Sequence, residues 1–206
     1  MSSLMPATGK LALPVRSPAK RIKVMIVGDA GCGKSCLIRR YCEGVFETRY
    51  IPTVCVDYGV RALSLQGTTD VRANFYDSSG SPSYMVARSE FYREAEGLLL
   101  VFDVGDGGAL DRLDSWLREA ERCGMRAGIP IVLCGTKVDE VHRRAVPRGA
   151  PEKWVKDHPG VAYFEASAAS GMGVKDAVEA LLTQTWADSA RAGAGAGKPG
   201  PASPRA

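Results

Sequence analysis

The chain has 206 residues, 45% of them hydrophobic, which suits one folded domain with tails and excludes disorder for the bulk. Its net charge of +4 is a tail effect: residues 1–23 carry +5 and residues 189–206 carry +3, with no acid in either, leaving −4 for the body. A basic surface for nucleic acid is therefore not expected, and no apolar run approaches the roughly 20 residues of a membrane span.

In chain order, residues 1–20, with Pro6, Pro14 and Pro18, read as a disordered basic arm. This arm suits an acidic partner or an anionic membrane surface; a solubilising tail is the simpler reading. Lys23 to Gly28 is expected to be a strand, and Gly33 to about Glu43 a helix. Phe46 to Val54, with Pro52, is a loop. Cys55–Gln66 and Val71–Asp77 are strand-like around Gly67-Thr68-Thr69-Asp70, a hairpin pattern. Ser78–Val86 is a loop, and Ala87–Ala95 a short helix. The apolar run from Gly97 to Val104 is typical of a strand buried on both faces. Ala109–Cys123 carries Leu110, Leu113, Leu117 and Ala120 at helical spacing. Ile129–Cys134 is a further buried strand, 140–150 a basic loop, and Pro151–His158 a short helix. Val161–Ala166 is the last strand and Val174–Ala187 the last helix. Residues 189–206, rich in Gly, Ala and Pro, read as a disordered tail, so the folded domain is expected over 21–188.

Strands alternating with helices predict an α/β fold, a mostly parallel sheet with helices on both faces. Ligands of such sheets bind at the carboxyl ends of the strands. Gly28, Asp77, Thr136 and Ser167 stand at or just after such ends, which gathers four polar stations on one rim.

The most specific of these is Gly28-Asp-Ala-Gly-Cys-Gly33-Lys34-Ser35, the pattern G-x-x-x-x-G-K-S of a phosphate-binding loop. Gly28, Gly31 and Gly33 let the backbone curl so that N–H groups face an anion, and the helix after it adds its positive end. Lys34 is then expected at the β- and γ-phosphates and the Ser35 hydroxyl on Mg²⁺. Asp77, closing an apolar strand, suits the far side of the same Mg²⁺; its bland alternative is a helix cap. Thr53 after Pro52 is a candidate to complete the metal shell, or an ordinary turn threonine. Phe46 is placed to cover the base or ribose edge, or simply belongs to the core. In Thr136-Lys137-Val138-Asp139, the Asp139 carboxylate can accept from guanine N1–H and the N2 amino group, a donor pair that adenine lacks. The Lys137 stem would lie along the base. Ser167-Ala168-Ala169 would add a backbone N–H toward guanine O6. Six cysteines without a C-x-x-C pair, and two histidines remote from them, read as reduced thiols rather than a zinc site or disulfide framework.

These motifs, in this order and spacing, resemble the Ras superfamily of small GTPases over roughly residues 22–187. Arg40-Tyr-Cys-Glu43, Arg49–Val60, Ser89-Glu-Phe-Tyr92, Val101-Phe-Asp-Val104 and Leu113-Asp-Ser-Trp-Leu117 are similar to segments of the Rab-like branch called RJL. The resemblance implies a P-loop NTPase G domain with a six-stranded sheet and a GTP/GDP switch needing Mg²⁺. It implies nucleotide contacts from Asp29, Ala30, Gly31, Cys32, Gly33, Lys34, Ser35, Cys36, Phe46, Thr53, Gly80, Thr136, Lys137, Asp139, Ser167, Ala168 and Ala169. Ser35, Thr53 and Asp77 would serve the metal, and Lys34, Thr53, Gly80 and Ser81 hydrolysis, with Thr53 and Gly80 sensing the γ-phosphate. Effector contact is implied for residues 51–60 and 78–92, with a separate exchange factor and activating protein. A cytoplasmic monomer without a lipid anchor is implied, associated with organisms that build flagella and so with the base of a flagellum or cilium. The ends agree in expectation: Met-Ser-Ser offers no second-position glycine, no cysteine follows Cys134, and the tail leaves no room for the J domain some RJL members carry.

The chain departs from the usual small-GTPase pattern in four places, although RJL members share the first. Ser81, followed by Pro82, stands where most small GTPases have a glutamine that orients the attacking water, so slow intrinsic hydrolysis is expected. Ala30 stands where the tightest GTPases have glycine, and its methyl group is expected to crowd the transition state slightly. Thr136 replaces the usual asparagine, with some expected loss of loop bracing. Cys32, at a helix N-terminus, is a candidate redox thiol, a small packing residue being the simpler reading. Three functions follow: a switch with weak GTPase activity, a scaffold that holds nucleotide without a useful cycle, and a P-loop kinase or ATPase. Asp139 with Ser167-Ala168 argues against the third.

Overall fold

The computed structural model describes residues 20–195. Six strands, β1 Lys20–Val27, β2 Val56–Leu65, β3 Thr68–Ser78, β4 Gly97–Asp103, β5 Ile131–Thr136 and β6 Val161–Glu165, form one sheet in the order β2-β3-β1-β4-β5-β6. Only the β2–β3 hairpin is antiparallel; every other neighbour pair is parallel. The helices are α1 Lys34–Glu43, α2 Met85–Tyr92, α3 Ala109–Arg122, α4 Ala150–Asp157 and α5 Val174–Gly195. The α/β architecture expected from the alternation is the one observed.

Strand alternation divides the core. Ile22, Val24 and Ile26 of β1, with Leu99 and Val101 of β4, face Leu37 and Ile38 of α1 and Val178, Leu181 and Leu182 of α5. Met25 and Val27, with Leu98, Leu100 and Phe102, face Tyr92 of α2 and Leu113 and Trp116 of α3. The register sets Ile26 beside Asp77 and Asp103 beside Thr136, so the carboxyl ends of the parallel strands reach one rim.

Several boundaries differ from expectation. The hairpin turn is Gln66-Gly67, both with positive φ (47° and 79°), the twist that a tight two-residue turn needs; Thr68, Thr69 and Asp70 belong to β3. The last helix does not stop at Ala187, and residues 189–195 are helical rather than part of a disordered tail. Composition misled here: the segment is alanine-rich, and alanine is the best helix former. It also follows two anchors, Asp188 paired with Arg126 and Ser189 bonded to Glu96. The first strand likewise begins at Lys20, inside the expected arm. The disordered arm expected over 1–19 and the tail expected over 196–206 lie outside the described residues.

Candidate functional site

The loop between β1 and α1 is built by glycine conformations. Gly28, Gly31 and Gly33 have φ of 143°, 76° and 100°. A Cβ on Gly28 would collide with the Val101 carbonyl oxygen, so β1 passes β4 there only as glycine. Helix α1 starts at Gly33 with no side-chain cap and no acid in its first turn. Its first N–H groups are thus left for an anion. Lys34 is 5% exposed, and its Nζ donates to the carbonyls of Gly28 and Asp29, both at 2.8 Å. An ammonium held over a glycine turn at a helix N-terminus is suited to cradle a phosphate.

Beside it, three chain segments bring oxygen atoms together. Ser35 Oγ donates to Asp77 Oδ2 at 2.5 Å and lies 2.9 Å from Thr53 Oγ1. Asp77 is buried at the end of β3, and its Oδ1 has no partner among the described residues. Burial pushes its carboxyl up to about 6, against the pull of the Ser35 hydroxyl and Lys34. A buried carboxylate with an orphaned oxygen, next to two hydroxyls, is an all-oxygen donor set of the kind a hard cation such as Mg²⁺ prefers. The residues present fit that ion.

The segment after β3 closes over the loop. A Cβ on Gly80 would collide with the Ala30 nitrogen and the Asp29 carbonyl carbon and stand 2.6 Å from the Gly28 oxygen. The turn thus rests on the phosphate loop, and Cys55 O accepts from Ser79 N at 2.8 Å, tying it to the segment that carries Thr53. The Ser81 hydroxyl accepts from Ser83 N at 3.4 Å and caps the 3₁₀ turn Pro82–Tyr84.

At the far end, Thr136, Lys137 and Asp139 follow β5. Lys137 adopts a left-handed conformation (φ 61°), and its Nζ pairs with Asp103 at 2.8 Å. Asp139 forms no ion pair or side-chain hydrogen bond among the described residues, and it lines the cleft. Thr136 keeps part of the bracing expected of the usual asparagine. Its hydroxyl contacts the Cys32 carbonyl oxygen and lies 2.9 Å from that of Phe102, so it links β5 to the loop and to β4 as a short side chain can.

A cleft of about 600 Å³ joins these parts. Ala30, Gly31, Gly33, Lys34, Ser35 and Cys36 line it from the loop and α1; Phe46 and Thr53 from the following segment; Gly80 and Ser81 from the turn. Thr136, Lys137, Asp139, Ala168 and Ala169 line its far end. Four expected site residues do not. Asp77 stands behind Ser35. Asp29 turns outward to Arg112 Nε (2.8 Å) and Trp116 Nε1 (3.0 Å) of α3. Ser167 is buried and accepts from Ser170 N at 3.0 Å, so it shapes the loop that carries Ala168. Cys32 points into the core, 3.4 Å from Val101 O, and burial pushes its thiol up rather than down, which overturns the redox reading in favour of packing. Sequence reasoning missed Arg88, Trp116 and Glu119, which stand behind the turn; Trp116 lay in a segment noted only for its resemblance.

The Ras family model matches residues 23–187. Among curated proteins, DnaJ homolog subfamily C member 27 of Danio rerio is 38% identical over 167 residues, covering 79% of this chain and 60% of that protein. The protein of the same name from Homo sapiens is 37% identical over 160 residues, covering 76% and 58%. The chain therefore spans about three fifths of the length of the curated relatives it matches. One family model matches most of the chain, and the six-stranded fold agrees with it: this chain belongs to the Ras family.

Proposed function

We propose that this chain is a GTP/GDP-binding molecular switch that uses Mg²⁺ and hydrolyses GTP slowly on its own. The observation that carries the reading is the meeting of Ser35, Thr53 and Asp77 at one point beneath the Gly80 turn. Two of these four come from loops outside the regular elements, and a nucleotide bridging them gives a reason for their convergence. Asp139, at the far end of the cleft, supports guanine over adenine by the donor pair it can accept. Mg²⁺, when bound, supplies positive charge to phosphate oxygens. The chain's own residues do the rest: loop amides and the Lys34 ammonium hold negative charge, and Thr53 and Gly80 close that end of the cleft.

Slow hydrolysis rests on Ser81. Its hydroxyl is engaged in capping its own turn and is too short to reach from the same backbone position as a glutamine. A second reading draws on the same feature, a scaffold that keeps GTP without turning it over. Exposed apolar residues at Ile51, Val54, Tyr58, Val60, Met85 and Val86 support an effector surface on 51–60 and 78–92, with exchange and activating proteins as further partners. We place the chain as a monomer in cytoplasmic trafficking or signalling, at the base of a flagellum or cilium. No helix of the described residues is long and apolar enough to cross a membrane. The DnaJ homologs it matches are longer than this chain.

The test is to identify the nucleotide on the purified protein, then load GTP with Mg²⁺ and follow one turnover. Retained GTP with hydrolysis over minutes to hours is expected, and Ser81→Gln is expected to speed it. Retained GTP without hydrolysis favours the scaffold. No rise in the single-turnover rate of Ser81→Gln removes Ser81 as the cause. Failure to bind either guanine nucleotide overturns the reading.

A further inference from the structure

An ion pair of Arg88 with Glu119 lies outside the cleft, almost wholly buried at 2% and 9% exposure. Arg88 Nε and Nη2 donate to the two oxygens of Glu119 at 2.6 and 2.7 Å, and Tyr92 OH donates to Glu119 Oε1 at 2.8 Å. Burial works against the Glu119 charge, and Arg88 with Tyr92 outweighs it, holding the carboxyl below its usual range. The remaining nitrogen, Nη1, donates to two carbonyls, Ser81 O at 2.7 Å and Ser79 O at 3.2 Å. They belong to the two residues that flank Gly80. The guanidinium also lies over the Trp116 ring at 4.8 Å, and Trp116 in turn bonds Asp29 of the phosphate loop. Helix α3 thus bonds the phosphate loop directly through Trp116 and reaches the Gly80 turn through Arg88 of α2.

The consequence follows from peptide geometry. In a trans peptide the C=O and the following N–H point in opposite directions. Arg88 draws Ser79 O toward itself and does not line the cleft, whereas Gly80 does. The Gly80 N–H therefore points away from Arg88, and it has no hydrogen-bond partner among the described residues. Its neighbours offer no substitute: Ser81 N donates to Ser79 Oγ at 3.3 Å, and Pro82 has no N–H.

We propose that Glu119 is a positioning residue for triphosphate recognition: it holds the Arg88 fork, which fixes the two carbonyls around Gly80 and keeps the Gly80 N–H aimed at the place of a terminal phosphate. The proposal rests on the reading of the cleft as a guanine-nucleotide site. Without the carboxylate, Arg88 is a buried charge with no counter-ion and leaves its place. The donor then loses its aim, and only a nucleotide long enough to reach it is affected. A diphosphate is held by the loop amides and Lys34, which Arg88 does not touch.

The test compares GDP with a non-hydrolysable GTP analogue, both with Mg²⁺, on the unsubstituted chain and on Glu119→Gln, Arg88→Lys and Tyr92→Phe. Glu119→Gln and Arg88→Lys are expected to lose about tenfold in analogue affinity, as for one hydrogen bond to a charged group, with GDP affinity unchanged within about twofold. Tyr92→Phe, which removes one neutral donor from Glu119 and leaves the ion pair, is expected to lose about threefold for the analogue alone. It keeps the question open to refutation if the charge variants do not fold. Equal losses for both nucleotides mean a merely structural ion pair and overturn the proposal, as does an unchanged ratio. Absence of guanine-nucleotide binding by the unsubstituted chain instead overturns the reading of the cleft itself.

Discussion

The metal-free, nucleotide-free protein is expected to lose stability as pH rises, and Asp77 sets the amount. Its carboxyl is 3% exposed, has one oxygen without a partner, and titrates at about 6 against an ordinary 3.8. At about 1.4 kcal/mol per tenfold, the charged form of this one group costs the empty fold about 3 kcal/mol. The sign follows from proton counting. Between pH 4 and 6 the folded chain keeps a proton that the unfolded chain has released, so folding weakens as pH rises through that window and is flat above about pH 7. Other carboxylates titrate in the same range, so the readout is a difference. Urea unfolding in chelator, followed by tryptophan fluorescence between pH 4.5 and 8, compares the chain with Asp77→Asn, which still accepts from Ser35. The curves are expected to diverge by about 2 kcal/mol between pH 4.5 and 8, the first third of the effect lying below that range. Mg²⁺ with GDP is expected to remove the divergence, because a cation beside the carboxylate compensates its charge. Parallel curves in chelator would refute the reasoning, since an Asp77 that is charged at no cost is not a buried carboxylate awaiting a cation.

Gly28→Ala is expected to destabilise the fold by about 3 kcal/mol or more, because φ is 143° and the new methyl meets a β4 carbonyl that cannot move without its strand; thermal unfolding reads it. Thr136→Val removes the hydroxyl that links the phosphate loop to β5 and strands a buried carbonyl, so GDP release is expected to quicken about tenfold, with Thr136→Ser close to the unsubstituted rate in a stopped-flow exchange assay. Alkylation at pH 8 followed by mass spectrometry is expected to spare Cys32 and Cys134 in the folded protein, since burial raises both thiols, Cys134 to about 12; early labelling of Cys32 would restore its redox reading.

What was legible in the sequence shares one property: it is imposed by the backbone over a short stretch. The β4 run is apolar because both sheet faces are covered, and the stations at Gly28, Asp77 and Thr136 fall at strand ends because the chain must turn there. A glycine pattern read as a curled loop is a statement about φ, and φ is what the structure returned at Gly28, Gly31 and Gly33. What escaped the reading is where side chains go when the spacing leaves them free. Positions 29 and 32 are both unspecified in the phosphate-loop pattern, and they leave the cleft in different directions, Asp29 to α3 and Cys32 to the core. Thr136 finds the Cys32 carbonyl across 104 residues, and Arg88 finds Glu119 across 31. No periodicity encodes such pairs, because helix packing chooses them after the elements exist. The same holds for α5, where alanine propensity and two distant anchors carry a helix through a stretch whose glycine content reads as a tail. The motif residues thus predict a phosphate site. The free positions, 29 against 112 and 116, and 88 against 119, say which helix is wired to the binding.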